Sequence, residues 1–382
     1  MSRFTRRGFP RRRGAVLVLS CLLLVLLLAL VAFSVDVGYI CMARSQLQNS
    51  ADSAAMAGAW GLLDERRLLG TSYLGAVDAQ ARAAAANYAG LNAVCNAAPS
   101  VGQNSANDLS GGIVFGHLDS SGSLVTAVSP ANYNAVQVTV LRDQQHNGPL
   151  NLFFSRVLGI SATTAQATAT AVFRDGINGF RATDSTGNTS LLPFALSVNS
   201  WQDLLNGGGT DQWTYNLGTE QVSSGADGVK ELKLFPDKTV GGGIVPGNFG
   251  TVDIGYSGNS SADLKRQIRE GVAASDLAYH GGELRAPTTL NGDTGVGVDI
   301  SAALKDIVGQ ARTIPLYDTV AGTGNTGQYH IVGFAGIRIV DYKLTGGNKY
   351  ILIQPAMVVD DSALDGGGAS SYSVYQPVVL AR

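Results

Sequence analysis

Histidine and cysteine are scarce in this chain, at 4 and 3 of 382 residues. His117, His146, His280 and His330 have no neighbouring ligand spacing. No Gly-x-Ser-x-Gly elbow occurs, and no serine has a context that singles it out as a nucleophile. Dense metal or acid-base chemistry is therefore not expected, and the chain reads as a non-enzyme without a cofactor or a small-molecule substrate. Clustered bases are also missing from most of the chain. Six arginines (Arg3, Arg6, Arg7, Arg11, Arg12, Arg13) crowd the first 13 residues; removing them from the 27 bases leaves 21 against 29 acids, or −8. A mildly acidic body is a poor nucleic-acid partner, because phosphate contacts need grouped Lys and Arg.

Acid is absent too from everything before Asp36. Between the arginines and that residue runs GAVLVLSCLLLVLLLALVAFSV, Gly14 to Val35, 22 residues without a charge. As a helix it spans roughly 33 Å at ~1.5 Å per residue, enough for a hydrocarbon core of about 30 Å. Arg11, Arg12 and Arg13 directly before it are the topology signal, holding the N-terminus in the cytoplasm. The expected location is the inner (cytoplasmic) membrane, single-pass, with lipid around the helix and the C-terminal body periplasmic. Three processed forms compete with an uncleaved anchor. A signal peptidase site at Ala32-Phe33-Ser34 would follow an apolar core longer than secretory signals carry. A lipoprotein box ending at Cys21 is followed by a dozen more apolar residues. A prepilin-type cut after Gly14 would put Leu19 where prepilins carry Glu. The uncleaved anchor fits best. Cys41 and Cys95 then lie outside the membrane, where a disulfide between them would add about 4 kcal/mol on the chain-entropy model. Two separate thiols fit the sequence equally well, and two cysteines make no zinc site by themselves.

The apolar run gives way to SVDVGYICMARSQLQNSADSAAMAGA, residues 34–59. Leu47, Ala51, Ala54, Ala55 and Gly58 recur at helical spacing and share one face. Small residues on such a face let another helix approach closely. Two occupants suit it: the chain's own domain, or a partner protein near the membrane, with the anchor and its extension forming one rod.

The order RRRGAVLVLS…AFSVDVGYICMARSQLQNSADSAAMAGA over residues 11–59 resembles the N-terminal anchor module of TadE/TadG-like proteins of the tight-adherence (Flp) pilus assembly system. The matching pieces are the Arg-Arg-Gly start, Val35-Asp36-Val37-Gly38, Arg44, Leu47-Gln48-Asn49, Ala51-Asp52-Ser53-Ala54-Ala55 and Ala57-Gly58-Ala59. The resemblance implies a TadG-like assembly component acting through contacts with other pilus-assembly or envelope proteins.

Composition divides the rest. Residues 1–13 read as a basic cytoplasmic tail, 14–35 as a transmembrane helix and 36–95 as a helical stalk. Ala-rich residues 62–94 predict one or two helices folding back on 40–60. Residues 96–175 read as a β-rich α+β region, with strands at GIVFGHL and NAVQVTVL. There NLFFSRVLGI (151–160) reads as an amphipathic helix with Leu152, Phe153 and Val157 inward, and SATTAQATATAVFRD as an Ala/Thr strand. Residues 176–382 read as a Gly-rich α+β extracytoplasmic domain, with strands within 191–198, 230–236, 328–344, 349–360 and 372–381. Helices are expected at 260–272 and 299–310, capped at Ser260 and near Asp299. The fold class is thus α+β, an N-terminal membrane helix and stalk before a mainly-β region.

Two other functions are weighed against assembly. Asp119, Ser121 and Ser123 in DSSGS carry the Asp-x-Ser-x-Ser pattern that opens the Mg²⁺ site of von Willebrand A-like adhesive modules. That site needs a buried strand before it and a helix after it, whereas the chain continues as loop and strand through Pro130. A hairpin turn explains DSSGS better. A membrane-tethered hydrolase would require the folded chain to gather a histidine with a nucleophile and an acid in one pocket.

Overall fold

The run from Ala15 to Leu62 contains no proline and is dominated by Leu, Ala, Val and Ser, and its three glycines are too few to break a helix. In the computed structural model, which describes residues 15–119, 121–235, 250–255, 260–293, 298–322, 326–367 and 371–381, it forms one continuous helix α1, Ala15–Leu62. Arg11, Arg12 and Arg13 lie outside the described residues. The helix is two-faced along its length, not around its girth. Its first half is bare: Val16 through Val31 expose nearly every large side chain. From Asp36 onward one side is fully covered.

The cover comes from the chain itself. Asp64 accepts from the Arg66 amide to start a short 3-10 turn, Glu65–Leu69. Helix α2, Thr71–Leu91, then returns along α1. Both helices lie on an antiparallel sheet of β1 (Ile113–Leu118), β2 (Leu124–Val125), β3 (Ala135–Arg142) and β4 (Ala165–Val172), in the order β2-β1-β3-β4. In β4 the alternation AQATATAV turns Ala165, Ala167, Ala169 and Ala171 inward, while Gln166 and Thr168 stay outside. Register places Val136 opposite Ala171, Val138 opposite Ala169 and Val140 opposite Ala167. The result is a shallow floor on which the Ala face of α1 lies close. Residues 36–95 and 96–175, separate regions by composition, share this one core.

The remainder is built on a larger sheet around β5 (Ala311–Ala321), β6 (Gln328–Lys343) and β7 (Tyr350–Pro355). Strand β6 pairs antiparallel with β5, with β7 and with Thr288–Asp293. Leu232–Phe235 and Thr251–Val252 lie at the two edges, and Leu196–Ser197 adds to β5 in parallel. Alternation gives this sheet two apolar faces. Leu316, Ile337, Ile339 and Ile353 pack under Trp201, Ile268 and Leu304 from helices Val198–Leu205, Ser261–Glu270 and Ser301–Ile307. On the other face Tyr317, Tyr329 and Phe334 meet Phe180, with Tyr317–Tyr329 and Phe180–Phe334 edge to face. The Ser260 hydroxyl accepts from the Asp263 amide and caps its helix. The chain ends on β8, Val379–Ala381, which returns to pair with β4 and ties the last residues into the first sheet. An α+β fold with a long apolar N-terminal helix and a mainly-β remainder is what the residues build.

Two local expectations change. Residues 151–160 do not form an amphipathic helix. Only Leu152 is buried; Phe153 and Val157 point out, and one 3-10 turn, Ser155–Leu158, ends at Gly159 in the left-handed region. The Asp36 carboxylate caps the amides of Phe153, Phe154 and Ser155 at the start of this turn, and Gly159 in the left-handed region stops it before a longer helix can form. Residues 191–198 hold only a two-residue strand, because the helix Val198–Leu205 begins at once, with the Ser197 hydroxyl accepting from the Asn199 amide.

Candidate functional site

Three features of the described residues stand out, one helix face and two joints. The first is the small-residue face of α1. Leu47, Ala51, Ala54 and Ala55 have no exposed surface, and Gly58 is buried. A side chain on Gly58 would meet Val136 Cγ1 at 2.9 Å and Ala85 Cβ at 3.2 Å; on Gly61 it would meet Ala81 Cα at 2.8 Å. The buried Ser50 hydroxyl donates to the Ala89 carbonyl at 3.0 Å across the helix pair. The face is therefore occupied from within, by α2 and the sheet, and is not open for capturing another protein. This corrects the partner reading. The physical reason is that α2 and β4 present alanines of their own, so three small-residue surfaces meet.

The second feature is Asp36, where the apolar run ends. Its side chain is buried although it comes directly after Val35. The carboxylate accepts from the amides of Phe153 (2.8 Å), Phe154 (3.1 Å) and Ser155 (2.7 Å) and from the Ser155 hydroxyl (2.6 Å). Those donors, the Ser155 hydroxyl foremost, hold its pKa below the ordinary 3.8 against the opposing effect of burial. One turn on, Tyr39 meets the Phe153 ring edge to face at 5.3 Å. No short motif signalled this clamp, because its partners lie nearly 120 residues apart.

The third feature joins the two sheets. Glu65, on the turn between α1 and α2, accepts from Arg338 of β6 at 2.8 and 3.1 Å. The buried Arg338 also donates to the Gly309 carbonyl at 2.6 Å and stacks 3.3 Å from the centre of the Tyr215 ring.

The alternative sites resolve locally. Asp119 Oδ1 accepts from the Ser121 amide (2.9 Å), the Ser121 hydroxyl (2.6 Å) and the Ser123 amide (2.9 Å). Strands β1 and β2 run antiparallel on either side of it, with Leu118 opposite Leu124. Asp119, Ser121 and Ser123 thus close a hairpin, and the A-domain context of parallel strand then helix is not what surrounds them. Among the described residues no group of three or more His, Cys, Asp or Glu gathers as a metal site. Cys41 and Cys95 remain separate thiols; the Cys95 amide donates to Gln46 Oε1 at 2.8 Å. His330 pairs with Asp318 at 2.8 Å and His146 with Asp143 at 3.1 Å, both at exposed positions. An open cleft of about 510 Å³ beside the helix Ser261–Glu270 is lined by Asp263, Arg266, Glu270 and Asp276, and its arginine is taken by Asp276 at 2.7 Å.

The structure thus combines an α+β body with a bare apolar helix, and family comparison bears on its N-terminal part. Residues 14–61 match the Tad family, described as Flp pilus-assembly TadE/G-like, and residues 57–171 match Tad_C, described as Tad-like Flp pilus-assembly. Residues 14–171 are thus similar to Tad-type Flp pilus-assembly proteins, with a TadE/G-like N-terminal module, and the two matches together span less than half of the chain. No curated protein and no solved structure matches the chain.

Proposed function

We propose that this protein is a TadG-like, single-pass membrane component of Flp pilus biogenesis, working by contact with other pilus-assembly and envelope proteins outside the cytoplasm. Helix α1 would cross the cytoplasmic membrane through residues 14–35, with Arg11, Arg12 and Arg13 retained inside. The body from Asp36 to the C-terminus would then stand in the periplasm. One observation carries this reading. The family-matched segment contains a helix whose first half buries nothing while its second half is locked into a folded module. The uncharged part of this helix is long and apolar enough to cross a bilayer. Division into tail, span, Tad-type module and C-terminal body rests on the same logic.

The test is genetic. In a host that makes Flp pili, deletion of the gene should reduce surface pili, and the full chain should restore them. Residues 36–382 exported behind a cleavable leader should not. Normal piliation without the protein, or full rescue by the untethered body, would overturn the reading.

A further inference from the structure

Asp36 holds a loop that the fold leaves uncovered. Phe153 is 62 % exposed, Val157 89 % and Leu158 79 %, and Phe154 and Ile160 also face outward. The backbone around them is not loose. The Leu152 amide donates to the Ser161 carbonyl, Ile160 to Ser155 and Gly159 to Arg156, so the apolar tip is held in a set shape. The chain leading to it climbs α1 step by step. Gln48 donates to the Thr168 carbonyl at 3.4 Å, Arg44 shares a cleft with Ala165, Tyr39 touches Phe153, and Asp36 binds Ser155. Each step moves toward the apolar end of α1. The next step beyond Ser155 is the tip, and the next residue of α1 before Asp36 is Val35, where the uncharged run stops.

We propose that residues 153–160 form a second membrane contact, an apolar loop seated in the outer interface of the bilayer that α1 crosses. The occupant is lipid, because the loop is continuous with the lipid-facing surface of α1 and joined to it at the polar boundary. Five exposed apolar side chains in eight residues are costly in water and favourable in the acyl-headgroup zone. Arg156, exposed among them, suits lipid phosphates, since its stem can lie in the apolar zone while its head reaches the polar layer. Asp36 then does two things: its charge marks the edge of the span, and its four hydrogen bonds fix the loop at that depth. A two-point attachment restricts tilt and rotation of the body about α1, which a single helix leaves free. The inference rests on the proposed membrane crossing.

The experiment uses the full chain in vesicles of phosphatidylcholine and phosphatidylglycerol. A variant with Cys21→Ala, Cys41→Ser and Cys95→Ser receives one cysteine, Val157→Cys or Leu24→Cys, labelled with the environment-sensitive dye NBD. Lipids carrying a doxyl quencher near the headgroup or near the chain end are compared. The Val157 probe should be quenched more by the shallow doxyl, and the Leu24 probe more by the deep one. Quenching at Leu24 with none at Val157 overturns the loop contact alone. Absence of quenching at Leu24 overturns the membrane crossing itself. A blue-shifted Val157 probe that no lipid quenches, and that reverts on dilution of protein into excess lipid, would assign the loop to a second copy of the chain and reject the lipid proposal.

Discussion

Arg338, buried, and Glu65, partly exposed and 273 positions away, meet as an ion pair at 2.8 Å and join the helical hairpin to the C-terminal sheet. The guanidinium is closed in by Tyr215 on one side and the Gly309 carbonyl on another. Such a pair does not require large net stabilisation to matter. Breaking it leaves one charge buried without its partner, which costs about 3 to 5 kcal/mol. Glu65→Ala should therefore lower the midpoint of denaturant unfolding, and Arg338→Met, which removes the charge and fills similar space, should cost less. Equal stability of Glu65→Ala and the parent in urea unfolding would remove the pair from the joint.

Gly58→Val tests the occupied face of α1. The new side chain meets Val136 and Ala85 at distances below normal contact, so overpacking of about 1 to 3 kcal/mol is expected. Membrane insertion should be unaffected, since residues 14–35 are untouched. Urea unfolding reads the first outcome and carbonate extraction of membranes the second. Unchanged stability combined with lost crosslinks to partner proteins would restore the partner reading of this face.

The Asp36 clamp has a defined pH dependence. Its folded-state pKa is lowered from 3.8, so its contribution is present above that value and lost as pH falls through the lower folded value. The loop should thus stay docked through the neutral and mildly acid range and release only in strong acid. Hydrogen exchange of the peptide covering residues 150–161, corrected for the intrinsic rate at each pH, should stay slow to below pH 4. In Asp36→Asn, a charge-neutral acceptor, exchange should be faster at neutral pH and insensitive to acid. Release of the parent loop near pH 6 would contradict this assignment.

Asp119 is predicted to serve its turn alone. Titration of the protein with Mg²⁺ should give no heat beyond dilution, and Asp119→Ala should behave identically in that titration. Binding heat that disappears in Asp119→Ala would revive the metal-dependent adhesive module.

How far the sequence led can be judged at particular residues. Gly14 to Val35 was legible because uncharged runs of that length are rare in water-soluble folds, and the Ala and Gly spacing from Leu47 to Gly58 announced a buried face. What occupied that face was not legible. Alanines on α2 and on β4 look like ordinary helix and strand composition until they are brought together. Residues 151–160 misled for a local reason. Their apolar spacing is helical, but Gly159 in the left-handed region ends the helical path after one 3-10 turn. Strand β5 was hidden by Pro315, which sits inside it opposite Phe334 and reads locally as a break. The Glu65–Arg338 joint had no sequence signal, since neither neighbourhood differs from a solvated surface.

The most direct measurement of the central claim is the topology of the C-terminus. Alkaline phosphatase, which is active only after export, and green fluorescent protein, which fluoresces only in the cytoplasm when exported by the general secretion route, are each fused after Arg382 in a Gram-negative host. An active phosphatase fusion and a dark fluorescent one are the predicted result. A bright fluorescent fusion with an inactive phosphatase would place the body inside the cell and contradict the account.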